Sequence, residues 1–583
     1  MVFPLPQPAP APASDPYFRL GDLHLGVSTR SADAQTWFDR ALVWTYCFNH
    51  DEAVRCYQQV IAHDPACALA YWGVAFCSGA NYNKTWRLFD GRDRARAVRV
   101  CHGYAREALA RADADDAAVT PWEAALIRAL ARRFPDEDAS RDFAACDRAY
   151  ADAMRDVYLE HGRGGDDLDM VTLFADALMN CAPRKLYDAA TGQPNPDTPV
   201  FEVKALLEDA LRKPAAARHP GPAHMYIHLM EMSSTPEAAL PAAAIIRDLI
   251  PDTGHTFHMP AHIDVLVGDY ARAVEYNAKA CDADDRFFSL RDGARTFYSY
   301  YRLHDYHSLV YAAMLGGMSA AALSATRRME EAVTEDMLRC EDPLPLADWM
   351  EFFLAVRVHV LVRFGMWDDL KALQPFTATE DHRRLYCVTN VMRHYGKAIA
   401  HAATGQVEEA ETERELYRAA AQLVPPTRLD FPNRVVDILR VASAMLDGEI
   451  AYRKAEFDAA FANLREAVRL EDALPFAEPW GWMLPARHAY AALSLERGLV
   501  EQAAVAYAED LGIRPTPGRS HQHPGNVWAL HGYHECLVRM GGREEEAAEV
   551  GGRLRTALEG ADVDITSSCF CRVGAPACCG EGS

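Results

Sequence analysis

Residues 49–75 read NHDEAVRCYQQVIAHDPACALAYWGVA, and the order of residue types in this stretch decides how the rest of the chain is read. A small polar residue, an acidic one and then alanine open a helix; Asp64-Pro65 closes it, and ACALAYWGVA starts another. The same signal returns as GDYARAVEYNAKACDAD (268–284), GQVEEAETERELYRAAA (405–421), AEFDAAFANLREAVRL (455–470) and GLVEQAAVAYAEDLGIRP (498–515). Alanine, leucine, arginine and glutamate recur at helical spacing, and runs of alternating β-branched residues are nearly absent, so the chain is expected to be almost entirely helical.

These stretches resemble tetratricopeptide repeats, in which small residues let paired helices approach and a proline or Asp-Pro ends each unit. The turns near Gly268, Gly317, Gly365, Gly405, Ala455, Gly498 and Gly542 are spaced more widely than the roughly 34 residues of a strict repeat. The expected fold class is all-α, an irregular tetratricopeptide-like solenoid with elongated helices or extra loops. Residues 1–20 read as a flexible proline- and alanine-rich lead-in, 21–183 as an N-terminal helical lobe, and 184–218 as a loop and linking helix beginning RKLYDAATGQPNPDTP. Central histidine-rich repeats occupy 219–330, C-terminal repeats 331–560, and a cysteine-rich tail 561–583.

The chain of 583 residues is longer than one compact core needs, and half of it is apolar, so it folds. A formal net charge of −23 disfavours nucleic acid, whose phosphates it repels on average. No apolar run reaches the length of a membrane span, and the first residues lack the basic and apolar regions of a secretory signal. A cytoplasmic location is expected, with the cysteines from Cys47 to Cys536 reduced and serving as small buried hydrophobes. There is no glycine-rich phosphate loop, no G-x-S-x-G elbow and no H-E-x-x-H pair, so nucleotide chemistry, serine nucleophiles and zincin-type hydrolysis have no seat.

Histidine is concentrated in two places. HPGPAHMYIHLMEM (219–232) carries His219, His224 and His228, and GHTFHMPAHI (254–263) carries His255, His258 and His262. His258 follows His224 by 34 positions and His262 follows His228 by the same 34, one repeat period. Within each pair the i, i+4 spacing aims both rings to one helix face, and neighbouring helices pack ~8–10 Å apart, a gap that opposing imidazoles can bridge with one metal ion. Aligning the turn at Gly317 with that at Gly268 brings His304 and His307 onto His255 and His258. Proline inside a helix costs about 3 kcal/mol, so the helix is expected to start near Pro260, with His255 and His258 entering on a turn. Glu231, three residues after His228, is expected as a ligand or as a group orienting a ring. His219, before proline, reads as a turn residue. The bland alternative for the cluster is a neutral, hydrogen-bonded histidine network that orders the groove.

The segment from about 194 to 317 resembles a widespread bacterial family of tetratricopeptide-repeat proteins with H-P-G-A-x-H-x-Y-I-H, an acidic residue, G-H-x-x-H-M-P-x-H-I and later a tyrosine followed by H-N-x-H. The matching positions are His219, Pro220, Gly221, His224, Tyr226, Ile227, His228, Glu231, Gly254, His255, His258, Met259, Pro260, His262, Ile263, His304 and His307. Pro222, Asp264 and Asp305 depart from the pattern, which favours alanine, tyrosine and asparagine there; the two aspartates would favour a cation if they face the groove. FNHDEA, DPACALAYWGVA and GANYN also look like this family. The resemblance implies the fold and singles out the histidines; it supplies no reaction.

The tail, SSCFCRVGAPACCGEGS, ends the chain with Cys569, Cys571, Cys578 and Cys579. Such thiols could hold a soft metal, form a redox pair or lie exposed, and the spacing matches no zinc-ribbon pattern. A tail folded back into the groove could bring Cys569 or Cys571 to the histidines. His521, His523, His531 and His534 fall out of register with the central cluster and read as structural.

The sequence therefore points to a solenoid with a polyhistidine metal site in its groove. His224, His228, His258 and His262 are the expected ligands, and His255, His304 and His307 complete a second site or an outer shell. Copper, iron and zinc all suit imidazole, and an open coordination position would allow oxidation of a small molecule or peptide, or activation of water. Tyr226, Arg295 and Tyr298 are the expected substrate contacts. The alternatives are a scaffold holding a protein or peptide in the groove, and a metal-storage or sensing protein.

Overall fold

The computed structural model describes residues 8–114, 118–291, 295–342, 345–514 and 517–572. It is all-α: helices follow one another from Ala32–Tyr46 to Glu544–Leu558, and the strands among the described residues are a two-residue ladder, Leu429–Asp430 against Asn433–Arg434. Successive helices pack on one another as antiparallel hairpins along the chain, which makes it an irregular tetratricopeptide-like solenoid.

The repeated signal maps onto these hairpins. In the opening stretch, Asn49 caps the His50–His63 helix by accepting from the Glu52 backbone N–H, and Ala68–Ser78 follows after the Asp64-Pro65 turn. Each of the other four stretches forms the second helix of a pair: Tyr270–Leu290, Val407–Ala421, Phe457–Asp472 and Val500–Asp510. The seven turn positions read from the sequence all have positive φ, from 60° at Ala455 to 84° at Gly268. Gly268 shows why: it ends the Gly254–Val267 helix in the left-handed region, and a β-carbon there would overlap the Pro524 carbonyl.

Pairs far apart in sequence tie the hairpins to one another. Arg19 pairs with Asp252 at 3.0 Å, Arg291 with Glu52 at 3.2 Å, and Arg184 with Glu478 at 2.5 Å. Tyr270 donates to the Pro524 carbonyl, Trp528 to that of Met314, and the Asp562 carboxylate accepts from the Ser319 and Ala320 backbone N–H groups. These ties join segments more than 200 residues apart. A single apolar core runs from Phe18 to Cys571, with Trp44, Trp72, Trp482 and Trp528 fully buried; a smaller cluster fills the hairpins between Ala491 and Leu554. No helix among the described residues is long and apolar enough to cross a membrane.

Candidate metal centre

The histidines sit on three helices. His224 and His228 lie on Pro220–Met230, which His219 caps by accepting from the Gly221 N–H while its Nε2 lies 3.1 Å from Asp169. His255, His258 and His262 lie on Gly254–Val267, and His304 and His307 on Tyr298–Leu315. The helix start expected near Pro260 is corrected: the helix begins at Gly254 and carries Pro260 as its seventh residue. Nearly the whole helix is buried, so tertiary packing offsets the hydrogen bond that proline withholds. His255, His258 and His262 thereby fall at i, i+3 and i+7 on one face rather than on a turn.

Four rings are held through Nδ1 by oxygen. His224 Nδ1 donates to the Tyr46 carbonyl at 2.7 Å, and His258 Nδ1 to the Asn277 amide oxygen at 2.8 Å. The Asn277 amide is oriented in turn, since its NH2 donates to the Ala273 carbonyl at 2.9 Å. Glu231, fully buried, accepts from His228 Nδ1 at 3.2 Å on one oxygen and from His262 Nδ1 at 2.5 Å on the other. With Nδ1 protonated, Nε2 of each ring carries the lone pair. His224 Nε2 lies 3.1 Å from His255 Nε2, and His258 Nε2 lies 2.7 Å from His262 Nε2. His228 Nε2 and His255 Nδ1 are buried without a protein partner.

Two triads result. His224, His228 and His255 form one and His258, His262 and His304 the other, with ligand atoms in each within 4.8 Å of one another; Glu231, His262 and Glu478 form a third, mixed group. The four rings expected as ligands, His224, His228, His258 and His262, are thus shared between the two groups, two in each. Burial, reinforced by the neighbouring rings, pushes His224, His255, His258 and His304 well below the usual histidine range. Burial opposes charging His262 too, but the Glu231 carboxylate outweighs it and raises that ring. Neutral imidazole is the ligating form; the shifts favour it at His224, His255, His258 and His304 and oppose it at His262.

Other expected residues lie elsewhere. His307 turns to a different layer, with Nε2 at 3.0 Å from Met483 Sδ and its ring against Phe352 and Phe353, so it completes neither triad. Tyr226 donates to Glu208 at 2.9 Å, two positions from His224 and on a different side of the helix. Asp264 is buried and pairs with Arg247 at 2.5 Å, whereas Asp305 approaches His258 Nδ1 at 3.4 Å. Arg295 and Tyr298 line a separate cleft, and Tyr298 donates to Asp284 at 2.8 Å.

Cys569 and Cys571 are joined by a disulfide and line a cavity with Arg363, Tyr395, Glu449 and His488, away from the central histidines. Cys578 and Cys579 lie outside the described residues. The eleven other cysteines are free thiols. In the C-terminal patch, His523 donates to Asp510 at 2.7 Å and His488 lies 2.9 Å from the same carboxylate, a buried structural network.

Sequence reasoning missed Glu478, Arg184 and Asn277. Asn277 had a signal: with Asp284 it interrupts the buried face formed by Ala273, Ala280 and Cys281. Glu478, 216 positions after His262, had none.

No protein-family model matches the chain, and no curated protein matches it in sequence. Among solved structures, the APC/C hetero-tetramer Cut9–Hcn1 is similar at 13% identity and TM-score 0.29, over 88% of this chain and 78% of that one. Yeast Tom70 is similar at 12% identity and TM-score 0.27, over 90% and 95%, and Naa15/Naa10 bound to HypK-THB at 11% and 0.21, over 90% and 70%. On its own consecutive hairpins, the chain is an all-α, tetratricopeptide-like solenoid.

Proposed function

We propose that this protein is a helical-repeat protein that holds one or two first-row transition ions, copper, iron or zinc, in its paired histidine triads. The carrying observation is the His258–His262 contact. Asn277 and Glu231 hold both Nδ1 protons, so two Nε2 lone pairs face each other at 2.7 Å. That arrangement needs a proton or a cation between the rings. Metal–nitrogen bonds of 2.0–2.1 Å at tetrahedral angles separate two ligand nitrogens by roughly 3.3 Å; the His224–His255 pair at 3.1 Å is close to that, and the His258–His262 pair at 2.7 Å would have to open by about 0.6 Å to admit an ion.

Access favours holding an ion over turning over a large substrate. The cavities beside the triads measure about 20 and 30 Å³, the second lined by Arg184, His228, His255, His262, His304 and Glu478. Each has room for about one water, which supports storage, sensing or water activation before oxidation of a peptide. A second reading, an interaction scaffold, is supported by the fold class and by Leu159 (73% exposed) and Phe201 (60% exposed), on outer helices joined by the Arg155–Glu202 pair.

The test is elemental analysis of untagged protein, wild type against a His258→Ala/His262→Ala double variant. Near-stoichiometric copper, iron or zinc, reduced in the variant, is expected. A metal-free wild type that also fails to bind any of the three on reconstitution, with its helical content intact, would leave the shared proton and the scaffold reading.

A further inference from the structure

A larger cavity than those beside the triads lies away from the metal-ligand candidates. It is a cleft of about 350 Å³ between the His50–His63 helix, residues 77–100 and the segment leading into Tyr298–Leu315. Its apolar wall is aromatic: Phe48, Phe89, Phe297 and Tyr301. Phe48 also packs on the first triad, with ring centroids 4.4 Å from His224 and 5.6 Å from His255, and Tyr301 meets His255 edge-on at 5.0 Å. Phe48 has φ of 57°, left-handed for a bulky residue, and this turn holds its ring between cleft and triad.

The charges in the cleft are of both signs. Lys84 is spoken for: it pairs with Asp93 at 2.7 Å and rests over Phe89 and Phe297, 3.9 and 5.0 Å from their centroids. Arg96 and Arg295 are exposed, line the cleft and form no ion pair among the described residues; Asp51, also in the lining, accepts from the Thr296 side chain and the Tyr298 backbone N–H. A site with a carboxylate held by neutral donors, two guanidiniums without an ion pair among the described residues and an aromatic floor is complementary to a molecule with an ammonium, a carboxylate and an apolar body. The volume is at the lower end of the ~300–1,000 Å³ typical of ligand pockets, which limits the occupant to about one or two residues of peptide.

We propose that this cleft binds a free aromatic or large apolar amino acid, or its dipeptide, with Asp51 taking the ammonium, Arg96 and Arg295 the carboxylate, and Phe48, Phe297 and Tyr301 the side chain. The site stands on its own residues and does not require a metal in the triads.

Calorimetric titration tests it with L-phenylalanine, 3-phenylpropionate and phenethylamine, on metal-stripped and on metal-loaded protein. L-Phenylalanine is expected to bind one per chain in both forms, and each half-ligand about 10- to 100-fold more weakly, the value of a charge-assisted hydrogen bond. Asp51→Asn should weaken phenylalanine and spare phenylpropionate, and Arg96→Ala/Arg295→Ala should weaken phenylalanine and spare phenethylamine. Circular dichroism verifies that the variants are folded. Failure of L-phenylalanine to bind the folded wild type overturns the proposal, as does equal binding of phenylpropionate, or unchanged affinity in both variants. Because the metal-stripped arm reads the cleft alone, its failure is distinct from failure of the metal reading.

Discussion

Replacing Glu231 by glutamine probes the reasoning most directly, because one fully buried carboxylate orients a ring in each triad. Both oxygens of the carboxylate accept; the amide can accept with only one and presents N–H with the other. One imidazole must then move its proton from Nδ1 to Nε2, where it blocks the ligating lone pair. His262, held at 2.5 Å, is the ring expected to keep the amide oxygen, and His228, at 3.2 Å, the one to flip. Losing such an orienting partner costs about 10- to 100-fold in metal affinity, or roughly 1.4–2.7 kcal/mol. Loss of the negative charge weakens the His262 triad by a smaller amount. Zinc titration against a competing chromophoric chelator measures both sites, and the Glu231→Gln protein should show one class of site weakened by that factor and the other nearly retained. Two sites of wild-type affinity in a folded variant would refute the idea that Glu231 orients ligands.

Other outcomes follow from burial. Burial lowers His307 and His359 to about 3, so both are neutral in the fold while the unfolded chain protonates near 6.5; their stabilisation is complete above that pH and declines as pH falls. Each should account for about 2 kcal/mol of lost stability at pH 5, seen as denaturant midpoints that fall between pH 7.5 and 5, and His359→Leu should flatten that dependence; a slope unchanged by the substitution would contradict it. A β-carbon at Gly254 would overlap the buried Asp284 carboxylate, so Gly254→Ala should lower stability by about 1–3 kcal/mol, read as a fall in melting temperature. Pro260→Ala restores an N–H to the Gly254–Val267 helix and should raise stability by up to about 3 kcal/mol; a lower melting temperature would show that the proline fits its surroundings better than alanine.

Much of the fold was legible because its signals are local. A helix is specified by side chains three and four positions apart, and a repeat turn by one residue that must enter the left-handed region, as at Gly268 and Ala455. The histidine faces were legible for the same reason: i, i+4 spacing within a helix and a 34-residue step between helices bring His224, His228, His258 and His262 to equivalent places. Local rules misjudged Pro260, where the packing of a nearly fully buried helix overrode propensity.

What the sequence by itself determined, then, is the class of the chain and the set of rings available to an ion. How those rings divide into two triads and which carboxylate spans them were decided only by tertiary structure. Glu478 meets Arg184 across 294 positions and Trp528 meets Met314 across 214. Contacts of that kind depend on rotations accumulated over every intervening hairpin, which no residue spacing records.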